Sequence, residues 1–541
     1  MGTPQHQTAE LTFTAAHVGG DRSNEVELDA VFTDPRGAEL RVPGFWAGGS
    51  QWRVRYASGV TGRHSWRTEC SEPSDTGLHG RRGDLEVVPH EGDCELHRRG
   101  PVQVAADRRH FEYRDGTPFF WLGDTWWMGL CHRLGWPGDF QALAADRRAK
   151  GFTVVQIVAG LYPDMPPFDE RAANEAGFPW ESEYARLRPA YFDAADRRLA
   201  YLVQSGLVPC IVGAWGYFAP WMGVRRLQQH WRYLVARYGS WPVIWCVAGE
   251  ANLPYYLTKG FPFDDREQVE LWTEVARYVR RIDPFRRPLS IHPTGLGRLT
   301  ARGAIDDEAL LDFDMLQTGH GLREVLPPTV KTLRDSRAAQ PTMPVLNSEV
   351  AYEALLDGRI PAEMQRLTFW CSMLSGAAGH TYGANGIWQV NRRDRPHGKS
   401  PHGGSYGTIP WDEAMHLPGS GQLAWGKRLL EQHPWQRFEP HPEWAAYLAG
   451  PPAGAEYEAP YAAGIPGAVR VVYAPRRQAV VVSGLEPGGT YRAAAYDAAS
   501  GRCQDLGAVR ADATGAWTCA PPPGHEPDWL AILEGPGPAG R

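Results

Sequence analysis

The feature that most constrains the fold is an alternation of short apolar runs with helix-length amphipathic segments between residues 96 and 435. The eight runs span 119–126, 153–159, 208–216, 243–252, 289–295, 314–320, 344–350 and 378–383. Periodic stretches lie between them at 140–150, 191–205, 225–238, 266–282 and 362–374. Repeated strand-helix units build a parallel sheet, and eight of them close naturally into a barrel. The pattern predicts an α/β protein with a (β/α)8 TIM barrel.

A doubly wound open sheet is the alternative fold for the same alternation. Its dinucleotide-binding form carries a G-x-G-x-x-G turn after an early strand. The sequence has no such turn at that place, which favours the barrel.

The segments on both sides of the barrel region have the alternating pattern of β-strands. Residues 1–95 alternate polar and apolar side chains in short runs, with turns such as 34–37 between them. Residues 436–541 return to this pattern, with strands at 468–473 and 478–483 and Pro- and Gly-rich turns around them. Period-two runs with closely spaced turns are typical of sandwiches. We expect an N-terminal β-sandwich over 1–95, the barrel over 96–435 and a C-terminal β-sandwich over 436–541.

Composition limits the partners and the compartment. The 541 residues carry 56 basic and 62 acidic side chains, a net charge of −6, which argues against nucleic acid as a partner. No run approaches 18 apolar residues, so no membrane span is expected. The sequence shows no signal peptide, and its eight cysteines form no C-x-x-C pair. We expect a cytoplasmic protein; whether it forms a homo-oligomer is left open.

Two glutamates end strands of the predicted barrel. Glu250 follows the apolar part of the fourth run, and Glu349 ends the seventh. Barrel enzymes hold their catalytic groups where strands end, so both carboxylates should face one cleft. Cleavage of a glycosidic bond uses a protonated carboxyl, which gives a proton to the leaving oxygen, beside an ionised one, which attacks or stabilises the transition state. A solvated loop carboxylate is the alternative role of each glutamate.

Other polar and aromatic residues at strand ends are candidates for binding a sugar. They are Asp124, Trp126, Trp215, Asn252, His292, Gln317, His320, His380, Tyr382 and Trp388. Carboxylates, imidazoles and amides can hydrogen-bond hydroxyl groups, and indole rings can stack on sugar faces. The alternatives are a helix cap for Asp124, core packing for the tryptophans, and an orienting role for His292, Gln317 and His320.

The sequence offers no cofactor or metal motif that fits its context. Residues 403–407 match G-x-S-x-G, but no strand precedes the Ser and no helix follows it, so we expect a loop. Residues 421–427 match G-x-x-x-x-G-K, but Arg428 stands where a P-loop needs Ser or Thr. We expect neither a cofactor nor a metal.

Several motifs resemble those of the apiosidase-like glycoside hydrolases. They are Trp-Leu-Gly-Asp-Thr-Trp at 121–126, Gly-His-Thr-Tyr-Gly at 379–383, and Pro-Val-Leu-Asn-Ser-Glu at 344–349 with Tyr-Glu at 352–353. Segments 42–46 and 52–55 resemble the N-terminal sandwich that is often joined to these barrels. Segments 490–492, 496–497, 500–501 and 528–529 resemble their C-terminal β domain.

The resemblance implies a retaining mechanism, with Glu250 as acid/base and Glu349 as nucleophile. The sequence departs from the family at one point, because the fourth strand commonly presents Asp where this chain has Glu250. Many related barrels also place Asn just before this Glu, whereas here Gly249 precedes it and Asn252 follows. The resemblance therefore does not identify apiose as the sugar.

These observations predict a retaining glycoside hydrolase, exo-acting on a β-glycoside or a plant-derived oligosaccharide, with carbohydrate as its partner. A barrel that binds carbohydrate without catalysis is the alternative from another class. A transglycosidase, in which a sugar hydroxyl intercepts the same intermediate, is a third possibility.

Overall fold

The computed structural model of the protein describes residues 2–17, 22–254, 265–295, 297–399, 406–450, 454–524 and 526–535. The N-terminal region holds eight strands: β1 Gly2–Pro4, β2 Ala9–Thr14, β3 Leu28–Thr33, β4 Glu39–Pro43, β5 Phe45–Gly48, β6 Gln51–Tyr56, β7 Gly62–Cys70 and β8 Arg82–Val88. They form a five-stranded sheet, β1-β8-β7-β3-β4, and a three-stranded sheet, β2-β6-β5. Side chains from both sheets share one core, so the region is a β-sandwich, as predicted.

A small sheet leads into the barrel. Its strands are β9 Val102–Val104, β10 Phe111–Tyr113 and β11 Pro118–Phe119. Two short helices precede it, α1 Arg22–Glu25 and α2 Glu95–Arg98.

The predicted eight-stranded parallel barrel forms the centre of the molecule. Its strands are β12 Trp121–Thr125, β13 Val154–Val158, β14 Val208–Val212, β15 Ile244–Cys246, β16 Leu289–Ser290, β17 Asp314–Gln317, β18 Val345–Glu349 and β19 Gly379–Tyr382. All their residues are buried, which explains why they read as apolar runs rather than as alternating ones. Each of the eight runs contains one strand, so the TIM-barrel prediction is confirmed.

Helices follow most of these strands. The longer ones are α3 Gly138–Lys150, α4 Pro189–Gln204, α5 Phe218–Tyr238, α6 Asp265–Ile282, α8 Leu326–Ala338, α10 Ala362–Met373 and α12 Pro418–Leu430. Three are single turns: α7 Ala301–Ala304, α9 Leu355–Gly358 and α11 Trp411–Ala414. Within the described residues, no helix is both long enough and apolar enough to cross a bilayer.

The seam of the barrel lies between β16 and β17. The hydrogen-bonded order runs β16-β15-β14-β13-β12-β19-β18-β17, without a described ladder joining its two ends. One backbone hydrogen bond, from the amide of Asp312 to the carbonyl of Leu289 over 2.9 Å, and two side-chain bonds cross the gap. The amide of Leu289 donates to Asp312 Oδ2 over 2.9 Å, and Ser290 Oγ donates to the carbonyl of Phe313 over 2.7 Å. The amide and the carbonyl of Leu289 are thus both satisfied by Asp312, the first by its side chain and the second by its backbone.

The C-terminal region is a second two-sheet structure. Its strands are β20 Glu439–Pro440, β21 Ala445–Tyr447, β22 Tyr461–Ile465, β23 Val469–Ala474, β24 Val480–Val482, β25 Thr490–Asp497, β26 Cys503–Arg510, β27 Trp517–Cys519 and β28 Trp529–Glu534. A six-stranded sheet, β20-β22-β23-β28-β25-β26, packs on a three-stranded sheet, β21-β24-β27.

The central strands β23 and β28 of the larger sheet are buried on both faces. Along β23, Val471 and Tyr473 belong to the barrel's core cluster, whereas Val472 and Ala474 belong to the core between the two C-terminal sheets. β28 divides its side chains in the same way. Because side chains alternate across a strand, one sheet serves as the middle layer between the barrel and the outer sheet.

An ion pair fixes this docking. Arg366 on α10 donates from Nε and Nη2 to both oxygens of Asp528, over 2.9 and 2.8 Å. The hydroxyl of Tyr473 donates to the same carboxylate over 3.0 Å. Arg366 and Asp528 are both buried.

We expect Arg366→Met to lower the free energy of unfolding by about 3–5 kcal/mol, because it leaves the Asp528 carboxylate buried without its cation. Urea denaturation at pH 7 measures this loss. Arg393→Met is the matched control, since Arg393 pairs with Asp412 and Glu413 at the surface and should change stability by no more than about 1 kcal/mol. Equal losses in the two variants would contradict a structural role for the buried pair.

Candidate active site

A cavity of about 880 Å³ opens at the carboxyl ends of the barrel strands, where barrel enzymes carry out their chemistry. Both predicted catalytic glutamates lie in its wall. The described lining consists of Trp127, Pro163, Asp164, Trp215, Glu250, Asn252, Leu253, Pro254, Thr294, Gly295, Gln317, Gly319, His320, Glu349, Tyr352, Leu355, Leu356, Trp388 and Tyr406.

Glu349 is the last residue of β18 and is held by two imidazoles. His320 Nε2 lies 2.8 Å from its Oε1, and His292 Nε2 lies 3.4 Å from its Oε2. His292 is oriented from behind, because its Nδ1 lies 2.9 Å from the carbonyl of Pro293. The two rings fix the carboxylate from the sides of β16 and β17.

Glu250 lies four residues beyond β15, on strained backbone. Its φ is +41°, in a region that side-chain-bearing residues rarely adopt and that is found at functional sites. Trp215 Nε1 donates to Glu250 Oε2 over 3.2 Å. The bond ties the candidate acid to the loop that follows β14.

Gly249 makes room for this arrangement. A Cβ at Gly249 would lie 2.3 Å from two ring carbons of Trp215, closer than any real contact. The indole therefore occupies the space of a side chain at position 249. This contact explains why a glycine stands where many related barrels have Asn.

Gln317 joins the two glutamates. It ends β17 and pairs with Glu349 across a β-bulge. Its Nε2 donates to Glu250 Oε1 over 2.8 Å and to Glu349 Oε1 over 3.1 Å. These two carboxylate oxygens therefore lie at most 5.9 Å apart, the sum of the two distances.

The environment pushes the pKa values of the glutamates in opposite directions. Burial, and then the nearby charge of Glu349, raise the pKa of Glu250 to about 8. Burial would also raise the pKa of Glu349, but the hydrogen bond from His320 and the charges of His292 and His320 outweigh it and hold that pKa below its ordinary value. At neutral pH the site thus pairs a protonated carboxyl with an ionised one.

The structure brings most of the predicted binding residues to this cavity. Trp215, Asn252, Gln317, His320 and Trp388 line it, and His292 lies directly behind Glu349.

Three polar atoms of the lining, outside the two glutamates, stand out because they have no hydrogen-bond partner among the described residues. They are Asn252 Oδ1, Gln317 Oε1 and Trp388 Nε1. Buried polar groups are rarely left unpaired, so two acceptors and one donor are available to a ligand's hydroxyl groups.

Four predicted binding residues lie elsewhere: Asp124, Trp126, His380 and Tyr382. Asp124 Oδ2 accepts hydrogen bonds from Arg147 Nε on α3 and from Trp126 Nε1, each over 2.6 Å. Tyr382 donates to Glu353 Oε2 over 2.6 Å, and the His380 ring packs against Phe369 on α10. These side chains face the helices that surround the barrel.

The alternation of side chains along the barrel strands explains why these four residues do not line the cavity. Asp124 pairs with Tyr382 across the sheet, so both side chains lie on the same face. The intervening residues lie on the other face, where Trp121 Nε1 donates to Thr381 Oγ1 over 3.1 Å. A residue at the end of a strand reaches the mouth only if the two-residue alternation turns it inward.

Sequence reasoning missed several lining residues that follow strands by two or three positions. Trp127 and Tyr352 are two of them. Trp127 Nε1 donates to the Tyr352 hydroxyl over 2.9 Å, and that hydroxyl contributes to the lowered pKa of Glu349. Asp164 and Tyr406 come from loops without a distinguishing pattern. For Tyr352, the signal available in the sequence was its place in a family-like motif.

One group of side chains in the described residues has metal-ligand spacing, and it lies outside the cavity. His17, Glu72 and Asp75 bring ligand atoms within 4.8 Å of one another. Asp75 Oδ1 already accepts hydrogen bonds from the amides of Ala16 and Gly77, so the cluster also has a structural role.

The G-x-S-x-G and G-x-x-x-x-G-K strings were not expected to form catalytic or phosphate-binding sites. Most of the G-x-S-x-G string, residues 403–405, lies outside the described residues. The G-x-x-x-x-G-K string lies inside α12, so its backbone amides take part in a helix rather than in a phosphate-binding loop.

Comparisons with known proteins agree with this architecture. The model of the apiosidase-like catalytic domain matches residues 105–437, and a model described as a domain of unknown function (DUF5060) matches residues 2–71. A search of curated proteins returned no significant match.

Solved structures described as glycoside hydrolases share the fold. A family 5 enzyme from Bacteroides vulgatus is 22% identical, with a TM-score of 0.65, covering 83% of this chain and 96% of its own. A second Bacteroides vulgatus protein assigned to the glycoside hydrolases is 17% identical, with a TM-score of 0.68, covering 98% and 99%. A further glycoside hydrolase is 21% identical, with a TM-score of 0.64, covering 81% and 97%.

We expect Gly249→Ala to displace the Trp215 ring and to destabilise the fold by about 1–3 kcal/mol, as overpacking does. Urea denaturation measures the loss, and near-UV circular dichroism reports the displaced indole. Gly421→Ala is the control, because a Cβ there meets nothing within 4 Å and helical alanine is favourable. An unchanged spectrum for Gly249→Ala would refute the packing argument.

Proposed function

The chain belongs to the apiosidase-like family of glycoside hydrolases, and we propose that it cleaves its substrate with retention of anomeric configuration. Glu349 is the nucleophile and Glu250 the acid/base. The observation that carries the proposal is the pair of glutamates that share the Gln317 amide and have oppositely shifted pKa values.

The spacing of the carboxylates supports retention. Retaining enzymes hold their two carboxyl groups roughly 5–5.5 Å apart, and inverting enzymes roughly 6.5–9.5 Å, to leave room for a water molecule. The oxygens joined through Gln317 lie at most 5.9 Å apart, the sum of 2.8 and 3.1 Å. This places them below the inverting range.

In the first step, Glu349 attacks the anomeric carbon as the glycosidic bond breaks. Glu250 gives its proton to the departing oxygen, so the leaving group departs as a neutral alcohol. The hydrogen bond from His320 favours the ionised state of Glu349.

In the second step, water replaces Glu349 at the anomeric carbon. Glu250, now a carboxylate, removes a proton from that water. Because the charge of Glu349 helps to raise the pKa of Glu250, esterification of Glu349 lowers it again. The same carboxyl can therefore act as acid in one step and as base in the next.

The cavity favours short substrates. A volume of about 880 Å³ lies within the range of roughly 300–1,000 Å³ typical of small-molecule sites. We propose exo action on a β-glycoside or a plant-derived oligosaccharide, with a sugar ring between Trp215 and Trp388. A cytoplasmic location belongs to the same proposal, supported by eight cysteines that are all free thiols.

Glu349→Gln should lower kcat by at least about a thousandfold, because the neutral amide cannot form the glycosyl ester. A panel of aryl and natural glycosides, followed by product analysis, measures the loss. Azide should rescue Glu349→Gly and give a glycosyl azide of inverted configuration. Near-normal turnover by Glu349→Gln would remove the assignment, and sugar binding without turnover in the native protein would favour a non-catalytic carbohydrate-binding protein.

NMR of the first-formed product tests the stereochemistry in the native protein. We expect the anomer of the substrate to be retained before mutarotation sets in. An inverted first product would contradict double displacement. Products made with excess acceptor sugar separate hydrolysis from transglycosylation.

The pH dependence should follow the two carboxyls. Activity needs Glu250 protonated and Glu349 ionised, so kcat/KM should fall as pH rises through about 8 and as pH drops below the lowered pKa of Glu349. Glu250→Gln should abolish the alkaline fall on substrates with activated aryl leaving groups. Glu270→Gln, a change at an exposed helix position, should keep both limbs. An alkaline limb that survives Glu250→Gln would assign it to another group.

A further inference from the structure

We infer that the leaving-group side of the cavity is built for an apolar aglycone, an alkyl or aryl group, rather than for a second sugar. The inference rests on the proposed roles of Glu250 and Glu349, and it adds the chemical class of the group that departs.

The position of Glu250 identifies that side of the cavity. An acid that protonates the glycosidic oxygen must lie beside it. Trp215, which donates to Glu250, lies on the side proposed for the sugar ring, so the other side chains next to the acid touch whatever that oxygen carries. Leu253 is linked to the same turn, because its amide donates to the carbonyl of Glu250 over 2.9 Å. Leu253 and Pro254 both line the cavity. The two described residues that follow Asn252 in the chain, Leu253 and Pro254, are thus aliphatic.

A second aliphatic surface comes from the turn after β18. Leu355 and Leu356 line the cavity within α9, whose backbone is left-handed at Leu356, with φ of 56°, and at Asp357, with φ of 57°. Such conformations are costly for side-chain-bearing residues and persist where the surroundings impose them, often at ligand sites. The turn holds two leucines at the same cavity as Leu253.

The polar and aliphatic parts of the lining suit different halves of a glycoside. Gln317 and His320 reach the carboxylates, and Asn252 Oδ1 lacks a partner among the described residues, so hydroxyl groups find hydrogen bonds there. Leucine and proline side chains offer no donor or acceptor, and they lack the flat ring on which a sugar stacks. A sugar against them would lose hydrogen bonds to water without replacement, whereas an alkyl or aryl group would gain from burial.

Calorimetric binding of methyl, butyl and hexyl β-D-glucoside to the Glu349→Gln protein tests the inference without requiring turnover. We expect affinity to rise with each added methylene, by up to about fourfold. Cellobiose, which places a second sugar on the leaving-group side, should bind no more tightly than methyl glucoside. Equal affinity along the alkyl series, a lack of binding by all three, or tighter binding of cellobiose than of hexyl glucoside would overturn the inference.

Leu253→Asn should flatten the dependence on chain length, and Leu356→Asn serves as a second variant on the other surface. Leu448→Asn is the matched control, because Leu448 is 63% exposed in the C-terminal region and should leave the dependence intact. A slope unchanged in both cavity variants would also overturn the inference. Failure here, with hydrolysis still dependent on Glu349, would remove the aglycone assignment and leave the proposed function standing.

Discussion

The active site depends on holding two like carboxyl groups together in a buried place. A single nitrogen, Nε2 of Gln317, donates to both Glu250 and Glu349. Two ionised carboxylates at this spacing would repel each other strongly in a low-dielectric environment. The repulsion is relieved by keeping one proton on the pair, and the hydrogen bond from His320, which lowers the pKa of Glu349, favours ionisation of that glutamate. The proposed division into acid and nucleophile thus rests on the surroundings rather than on the residue type.

The backbone and packing around Glu250 also help to hold its carboxyl beside Glu349. Trp215 fills the space that a side chain at position 249 would need, and its indole nitrogen donates to the acid. The backbone of Glu250, next in the chain to Gly249, has a φ of +41°. The positive φ of Glu250, the absence of a side chain at Gly249 and the hydrogen bond from Trp215 together orient the Glu250 carboxyl toward the cavity.

The sequence predicted the fold, and the position of both glutamates at the mouth of the barrel, because each depends on a local pattern. Eight buried strands give eight apolar runs, and the ends of parallel strands meet at one rim. It could not predict the phase of each strand, which decides whether a side chain faces the barrel or the helices. Asp124, His380 and Tyr382 were therefore placed at the mouth, although they pack outward against α3, α10 and the β18 loop. Tyr352 and Leu253 lie in turns beyond the strands, where position depends on tertiary contacts and not on periodicity. The domain limits at 95 and 435 remain predictions.

The two buried faces of the central strands in the larger C-terminal sheet bear on how the chain is made. β28 lies between β23 and β25, in the middle of that sheet, yet it follows all the other strands of the region in the chain. During synthesis the part of the barrel wall that β28 covers, through Leu530 and Ile532, stays open to solvent until β28 leaves the ribosome. A nascent chain with a complete set of barrel strands therefore still exposes apolar surface, which makes it a substrate for chaperones and a candidate for aggregation late in translation.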